Sequence, residues 1–312
     1  MTATLPGIHH VTAITADGRR NVAFYTQTLG MRMVKVTVNF DDPSAYHLYY
    51  GDFLGRPGSA MTFFVWEGAR LGRVGAPQVV VTQFAIPVGA LAYWQERLAE
   101  AKITATASQD RFGQSVLAFE DPDGLALELV EAPLDSLSTF EVGADSVVPV
   151  EFAIRGFYGV TLASYKPDST RALLTEVMGF PATDETAPDR TRHKSTAEYA
   201  SVVDVLNQSE LRHGQGSAGT VHHVAFRVPD AEQQKAWQAI LQERGLGVSP
   251  VMERCYFQSI YYREPGGILF EIATDEPGFT IDEPAESLGE RVCLPPWMEE
   301  NRAQIEAALP PL

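Results

Sequence analysis

Apolar and polar residues alternate in short runs along this chain, and the runs recur in a fixed order. From His222 to Val228, Val224, Phe226 and Val228 mark one face and His223 and Ala225 the other, the period of two of a half-buried strand. The stretch Ile268 to Ala273 repeats that pattern: Ile268, Phe270 and Ile272 mark the packed side, with Leu269, Glu271 and Ala273 opposite. Tyr46-His47-Leu48-Tyr49-Tyr50 also alternates as a strand does. Helical stretches separate such runs, Ala90 to Ala101 around Trp94 and Leu98, and Ala231 to Arg244 around Trp237 and Leu241. Others close on Gly30 and Gly179, where helix C-caps favour glycine, and Asp17 and Asp168 stand where N-caps or first-turn acids belong.

The runs are copies of one unit. Segment 7–31, opening Gly7-Ile8-His9-His10-Val11-Thr12, is echoed by 156–180, opening Gly156-Phe157-Tyr158-Gly159-Val160-Thr161. Asp121-Pro122-Asp123-Gly124 leads into Leu125 to Leu129 as Glu264-Pro265-Gly266-Gly267 leads into Ile268 to Ile272, each a tight turn feeding a final strand with a glutamate. The spacing predicts an α+β protein of four βαβββ units at about 7–66, 78–131, 155–207 and 220–274. These divide the chain into an N-terminal half, 1–135, a connector, 136–154, a C-terminal half, 155–275, and a tail, 276–312, with a helical stretch from Met298 to Ala308.

Composition narrows the function classes. A formal charge of −16 leaves no basic excess to neutralise phosphates, which argues against nucleic acid as a partner. Cys255 and Cys293 imply no disulfide framework and read as packing residues. No signal-peptide pattern or membrane-length apolar run is visible, so a cytoplasmic protein without a membrane partner is expected. Homo-oligomerisation is left open.

Four βαβββ units in series resemble the vicinal-oxygen-chelate superfamily, which includes glyoxalases and extradiol dioxygenases. The resemblance implies two cupped mixed β-sheets with outer helices, units pairing so that each contributes one metal position from its first strand and one from its last. The first-strand positions are His9/His10, a Gln83 region, Tyr158/Gly159 and His222/His223; the last-strand positions are Thr62 to Phe64, Glu128, Asp204 and Glu271. Pairing the first unit with the fourth unites two histidines and a glutamate and leaves the second–third pair without histidine. Strand alternation turns His223 and Glu271 to the face opposite the apolar one, and His10 matches His223 by repeat equivalence. The expected ligands are therefore His10, His223 and Glu271, a set suited to non-heme Fe(II). The same alternation points His222 toward the packed face unless a bulge intervenes. Glu128 reads as a rim or salt-bridge residue, Asp204 as a satisfied structural acid, His47 as pocket wall or packing, and His193 and His213 as exposed.

A narrower resemblance, to bacterial para-hydroquinone ring-cleaving dioxygenases including the chlorohydroquinone 1,2-dioxygenases, rests on several ordered segments. They are His9-His10-Val11-Thr12, Tyr46-His47-Leu48-Tyr49, Arg111-Phe112-Gly113-Gln114, His222-His223, Tyr256-Phe257, Tyr261, Gly266-Gly267 to Glu271, Pro277-Gly278-Phe279-Thr280 and Ser287-Leu288-Gly289. It implies an Fe(II) cofactor, a small aromatic substrate and O2, with His9, Thr12, His222, Arg254 and Tyr261 around the ligands. His9, His222 or Tyr261 would then move the phenolic proton, a contribution of about 10² to 10⁴ in rate. Arg254 reads either as a group holding a ring or product oxygen or as a surface ion pair. The alternatives are a catechol extradiol dioxygenase, a glyoxalase-type isomerase or lyase, and a metal-free small-molecule binding protein. Met61 to Trp66 offers no obvious fourth ligand, which counts against the glyoxalase type.

Overall fold

The computed structural model describes residues 4–133, 139–144, 146–207 and 212–312; residues 136–138 and 145 of the expected connector lie outside them. Among the described residues, sixteen strands form two eight-stranded sheets. The first unit gives β1 (Ile8–Thr15), β2 (Arg32–Asn39), β3 (Asp42–Gly51) and β4 (Ala60–Val65); the second gives β5 (Gln78–Pro87), β6 (Thr106–Arg111), β7 (Gln114–Glu120) and β8 (Ala126–Ala132). The third gives β9 (Phe157–Ala163), β10 (Ala182–Ala187), β11 (Arg190–Lys194) and β12 (Val202–Leu206), and the fourth β13 (Thr220–Val228), β14 (Met252–Glu253), β15 (Phe257–Arg263) and β16 (Leu269–Pro277).

One sheet runs β14-β15-β16-β13-β1-β4-β3-β2 and the other β10-β11-β12-β9-β5-β8-β7-β6. The first and fourth units thus share a sheet, as do the second and third. Within each unit the first and last strands pair in parallel, and the two units meet through antiparallel first strands, giving mixed sheets.

Each unit sends one helix to the outer face of its sheet: α1 (Gly18–Val22), α2 (Leu91–Glu100), α3 (Pro167–Leu173) and α4 (Ala231–Glu243). The apolar parity of the strands meets these helices, and Trp94 and Trp237 are buried there. Asp17 caps α1 by accepting from the Arg20 amide at 3.0 Å, and Asp168 lies in the first turn of α3. Gly30 and Gly179 hold positive φ where the helical segments end.

The tail returns across the first unit, where Asp282 and Glu283 both bind the buried Lys35 ammonium, Asp282 at 2.6 Å. The tail ends in α5 (Arg302–Ala308). No helix among the described residues is long and apolar enough to cross a membrane.

Candidate metal centre

The site lies where β1 and β13 meet at the centre of the first–fourth sheet. Their antiparallel register pairs His10 with Ala225, Val11 with Val224 and Thr12 with His223. That register makes Val11–Val224 a local pseudo-twofold centre, relating His10 to His223. On each side of it one residue is skipped, His9 between the pairs of Ile8 and His10, and His222 between those of Thr12 and Ala13. Both are one-residue bulges, which re-aim a side chain out of strict alternation.

The bulges explain why histidines come in pairs. His10 and His223 point into the cup with their Nε2 atoms 3.3 Å apart. Behind each stands its neighbour: His9 Nδ1 lies 2.9 Å from His10 Nδ1, and His222 Nδ1 lies 2.8 Å from His223 Nδ1. His9 Nε2 sits 3.1 Å from the Thr274 carbonyl and must carry a hydrogen to donate there. Neutral His9 then accepts at Nδ1, so His10 carries its proton on Nδ1 and presents a bare Nε2 to the cup. His223 has its Nδ1 backed by His222 in the same way, and a proton held there would likewise leave its Nε2 bare.

Glu271 enters from β16 through its pairing with Ala225. Its Oε2 lies 3.3 Å from His10 Nε2 and 2.9 Å from His223 Nε2, while Ser259 donates to Oε1 in a short bond. Oε2 is buried and out of line for a hydrogen bond with either imidazole. A buried carboxylate oxygen and two imidazole lone pairs therefore converge without an aligned proton, an arrangement a divalent cation satisfies. All three donor atoms lie within 4.8 Å of one another, and all three residues are buried. Burial opposes ionisation of Glu271, but His10 and His223 outweigh it and hold the carboxyl well below its usual range. Burial also lowers His223, favouring the neutral ligand form.

A pocket enclosing about 340 Å³, open solvent included, lies over this trio. Its wall includes Phe64 and Phe257 as aromatic surfaces and His47, Tyr49, Arg254 and Tyr261 as polar groups. Arg254 makes the ion pair expected of it, its Nη2 reaching Asp41 at 3.1 Å on the rim, and its Nε is 3.2 Å from the Tyr261 hydroxyl. Burial and the nearby Glu271 push the Tyr261 phenol up, so it remains a protonated donor. Thr12 is buried, 2.8 Å from the Thr62 hydroxyl.

Several expectations change. His222 does not pack against the helix layer; its bulge leaves the ring beside Phe64 with one edge in solvent. His9 has both ring nitrogens on protein partners, His10 and the Thr274 carbonyl. Glu128 is buried, not at a rim, and takes a hydrogen bond from Gln83 at 2.9 Å. His193 is buried against the Phe180 carbonyl, whereas His213 is exposed as expected. Cys293 is buried, and Cys255 only partly so.

The residue scan missed Ser259, although it shares the inward face of β15 with Tyr261, two residues on. Thr62 stood among the last-strand positions, Thr62 to Phe64, and the pairing of the strands singles it out. The pairing of Thr62 with Thr12 on β4 mirrors that of Glu271 with Ala225 on β16, so Thr62 occupies the pseudo-symmetric counterpart of the glutamate.

The family model described as the Glyoxalase/Bleomycin resistance protein/Dioxygenase superfamily matches residues 7–129 and 160–272. MhqO of Bacillus subtilis, named as a candidate ring-cleaving dioxygenase, is 46% identical over 305 residues, 98% of this chain and 96% of that protein. A chlorohydroquinone/hydroquinone 1,2-dioxygenase of Sphingobium indicum is 35% identical over 307 residues, covering 96% and 94%. A crystal structure of a dioxygenase candidate from Bacillus subtilis superposes with a TM-score of 0.94 at 45% identity, covering 100% of this chain and 98% of that one. Glyoxalase I from Zea mays shares the fold at a TM-score of 0.60 and 14% identity, covering 86% and 92%.

Proposed function

The chain belongs to the Glyoxalase/Bleomycin resistance protein/Dioxygenase superfamily, and from that premise we propose that it is an Fe(II)-dependent dioxygenase opening a hydroquinone-type aromatic ring with O2. The coarser reading, a ring-cleaving dioxygenase of this superfamily, is supported by relatives aligned over nearly the whole chain. Substrate and metal are the finer steps, and one observation carries them. His10, His223 and Glu271 converge as a three-residue set, while Thr62, at the fourth symmetric position, is held by Thr12 and His47.

Three donors leave open positions for two reactants, whereas a fourth protein ligand would close one. His10, His223 and Glu271 would hold Fe(II), which when bound supplies Lewis acidity toward a phenolate and an electron path to O2. The protein's own groups do the rest. His9 and His222 fix the tautomers of the two ligand histidines, and Ser259 orients Glu271. Tyr261, backed by Arg254, offers a phenol proton at the pocket, and Arg254 adds positive charge at the rim for an oxygen of substrate or product. Phe64 and Phe257 flank the space a single ring would fill.

Anaerobic reconstitution with Fe(II), followed by oxygen-electrode assays with hydroquinones, catechols and the methylglyoxal–glutathione adduct, tests this reading. The expected result is one O2 consumed per hydroquinone, with both oxygen atoms in a ring-opened acid. Uptake with catechols and none with hydroquinones overturns the substrate and keeps the dioxygenase. Turnover of the glutathione adduct without oxygen uptake overturns both.

A further inference from the structure

The pseudo-twofold that relates His10 to His223 extends to the pocket walls. On the glutamate side, β15 places Tyr261 opposite Glu271 and Ser259 opposite Ala273. On the other side, β3 places Tyr49 opposite Thr62 and His47 opposite Phe64. Tyr49 is thus the counterpart of Tyr261, and His47 that of Ser259. The hydrogen bond from Ser259 to Glu271 has its counterpart in His47 Nε2, 2.9 Å from the Thr62 hydroxyl. Where one half supplies a carboxylate to the metal position, the other supplies a threonine whose oxygen is drawn away from it.

The non-ligand half forms a continuous chain. The Tyr49 hydroxyl is 2.9 Å from His47 Nδ1, His47 Nε2 is 2.9 Å from Thr62 Oγ1, and Thr62 Oγ1 is 2.8 Å from Thr12 Oγ1. His47 and Tyr49 line the pocket over the trio. Both ring nitrogens of His47 are occupied, so His47 itself has nothing left for a ligand. Tyr49 is buried, and among the described residues its hydroxyl makes this one hydrogen bond, leaving one position to fill. Each link can reverse its donor and acceptor. With Tyr49 donating to His47, its oxygen is left to accept from a phenol; with His47 donating, its hydrogen is left to give to a phenolate.

We propose that Tyr49, oriented by His47, Thr62 and Thr12, is a ligand-anchoring residue that hydrogen-bonds a ring oxygen of the aromatic molecule on the open, threonine side of the site. The inference rests on reading His10, His223 and Glu271 as a metal centre that binds a phenolic ring. It adds a second recognition group facing Tyr261 across the pocket. His47 and Thr62 are positioning residues, acting through Tyr49.

The test is calorimetric binding under anaerobic conditions to Zn(II)- or Fe(II)-loaded full-length protein, with hydroquinone, catechol, phenol and azide as probes. Azide occupies an open metal position without a ring oxygen. Tyr49→Phe is expected to weaken hydroquinone about 10-fold, the worth of one hydrogen bond, with azide affinity and metal content unchanged. His47→Leu, which removes the orienting ring and keeps the phenol, is expected to weaken hydroquinone by a smaller factor, again sparing azide. Should Tyr49→Phe fail to fold, His47→Leu decides alone. Unchanged hydroquinone affinity in the folded variants overturns the assignment, as does an equal loss for hydroquinone and azide, which would mark a change in the metal site itself. If wild-type protein binds catechol or phenol but not hydroquinone, the proposed substrate falls, and the Tyr49 loss is read on the ring that binds. If it binds none of the three rings, both readings fall. Oxygen consumption enters none of these measurements.

Discussion

At the scale of single residues, the histidine pairs divide one task between two imidazoles. His10 and His223 face the cup, and His9 and His222 stand against their Nδ1 atoms at 2.9 and 2.8 Å. Removing a ligand and removing its orienter should therefore differ in kind. His10→Ala, His223→Ala and Glu271→Ala are each expected to lose tightly held metal and ring-opening activity while keeping a cooperative thermal transition, read by metal analysis and calorimetry. His9→Ala should retain metal at an affinity lowered about 10- to 100-fold, as loss of an outer hydrogen-bond partner does. Full metal content and turnover in His10→Ala would remove β1 from the site. Thr62 offers the converse experiment. A carboxylate in its place, Thr62→Glu, should behave as a fourth donor, with slower metal loss to a chelator and oxygen uptake reduced at least 10-fold.

At the scale of elements, the strand that carries a residue decides whether its chemistry could be read beforehand. Where alternation runs unbroken, as in β16, the inward placement of Glu271 is legible from Ile268, Phe270 and Ile272 alone. Where it breaks, parity misleads: the bulge at His222 restores an orientation that counting by two denies. A bulge is fixed by pairing with a distant strand, and a single segment carries little trace of it. His193 and Glu128 failed for a related reason. His193, in polar sequence, reads as exposed and Glu128, in an apolar strand, as a rim or salt-bridge residue until the partner each one meets, the Phe180 carbonyl or the Gln83 amide, is brought across by the fold.

The turn before β8 gives a pH prediction of the same local kind. Asp121 accepts from the amides of Asp123 and Leu125, yet burial pushes its carboxyl up to about 6. A folded pKa above the unfolded value means the native state holds this proton more tightly, so its contribution to stability is present in acid and is lost as pH rises from about 4 to about 6. Asp121→Asn, which keeps an acceptor for both amides, is expected to flatten that fall. Melting temperatures of the two proteins should converge near pH 4 and separate in favour of the variant by pH 7.

At the scale of the whole molecule, the repeats build two cups, and the second brings no histidine to the register positions of His10 and His223. The matching register of β5 and β9 places Val81 where β1 has His10, and Gly159 where β13 has His223. A Cβ added at Gly159 would come within 2.4 Å of the Val202 carbonyl, so no side chain is accommodated there. Asp204, paired with Thr161 as Glu271 is with Ala225, is taken by the buried Arg192 through two bonds of 2.8 and 2.9 Å. Glu128, at the position of Thr62, is bound by Gln83. The second cup thus satisfies its acids internally, and one metal per chain is expected from elemental analysis of reconstituted protein. Zinc in place of iron would not disturb that count, because Zn(II) generally binds such donor sets more tightly than Fe(II). The two carboxylates should also separate by phenotype. Asp204→Ala leaves the buried Arg192 with only the half-exposed Glu185, 3.5 Å away, as counter-ion and should cost about 3 to 5 kcal/mol of stability, with metal content unchanged in the folded fraction. Glu271→Ala should lose the metal instead. Two tightly held metals per chain, or metal lost on substituting Asp204, would return the second sheet to consideration as a site.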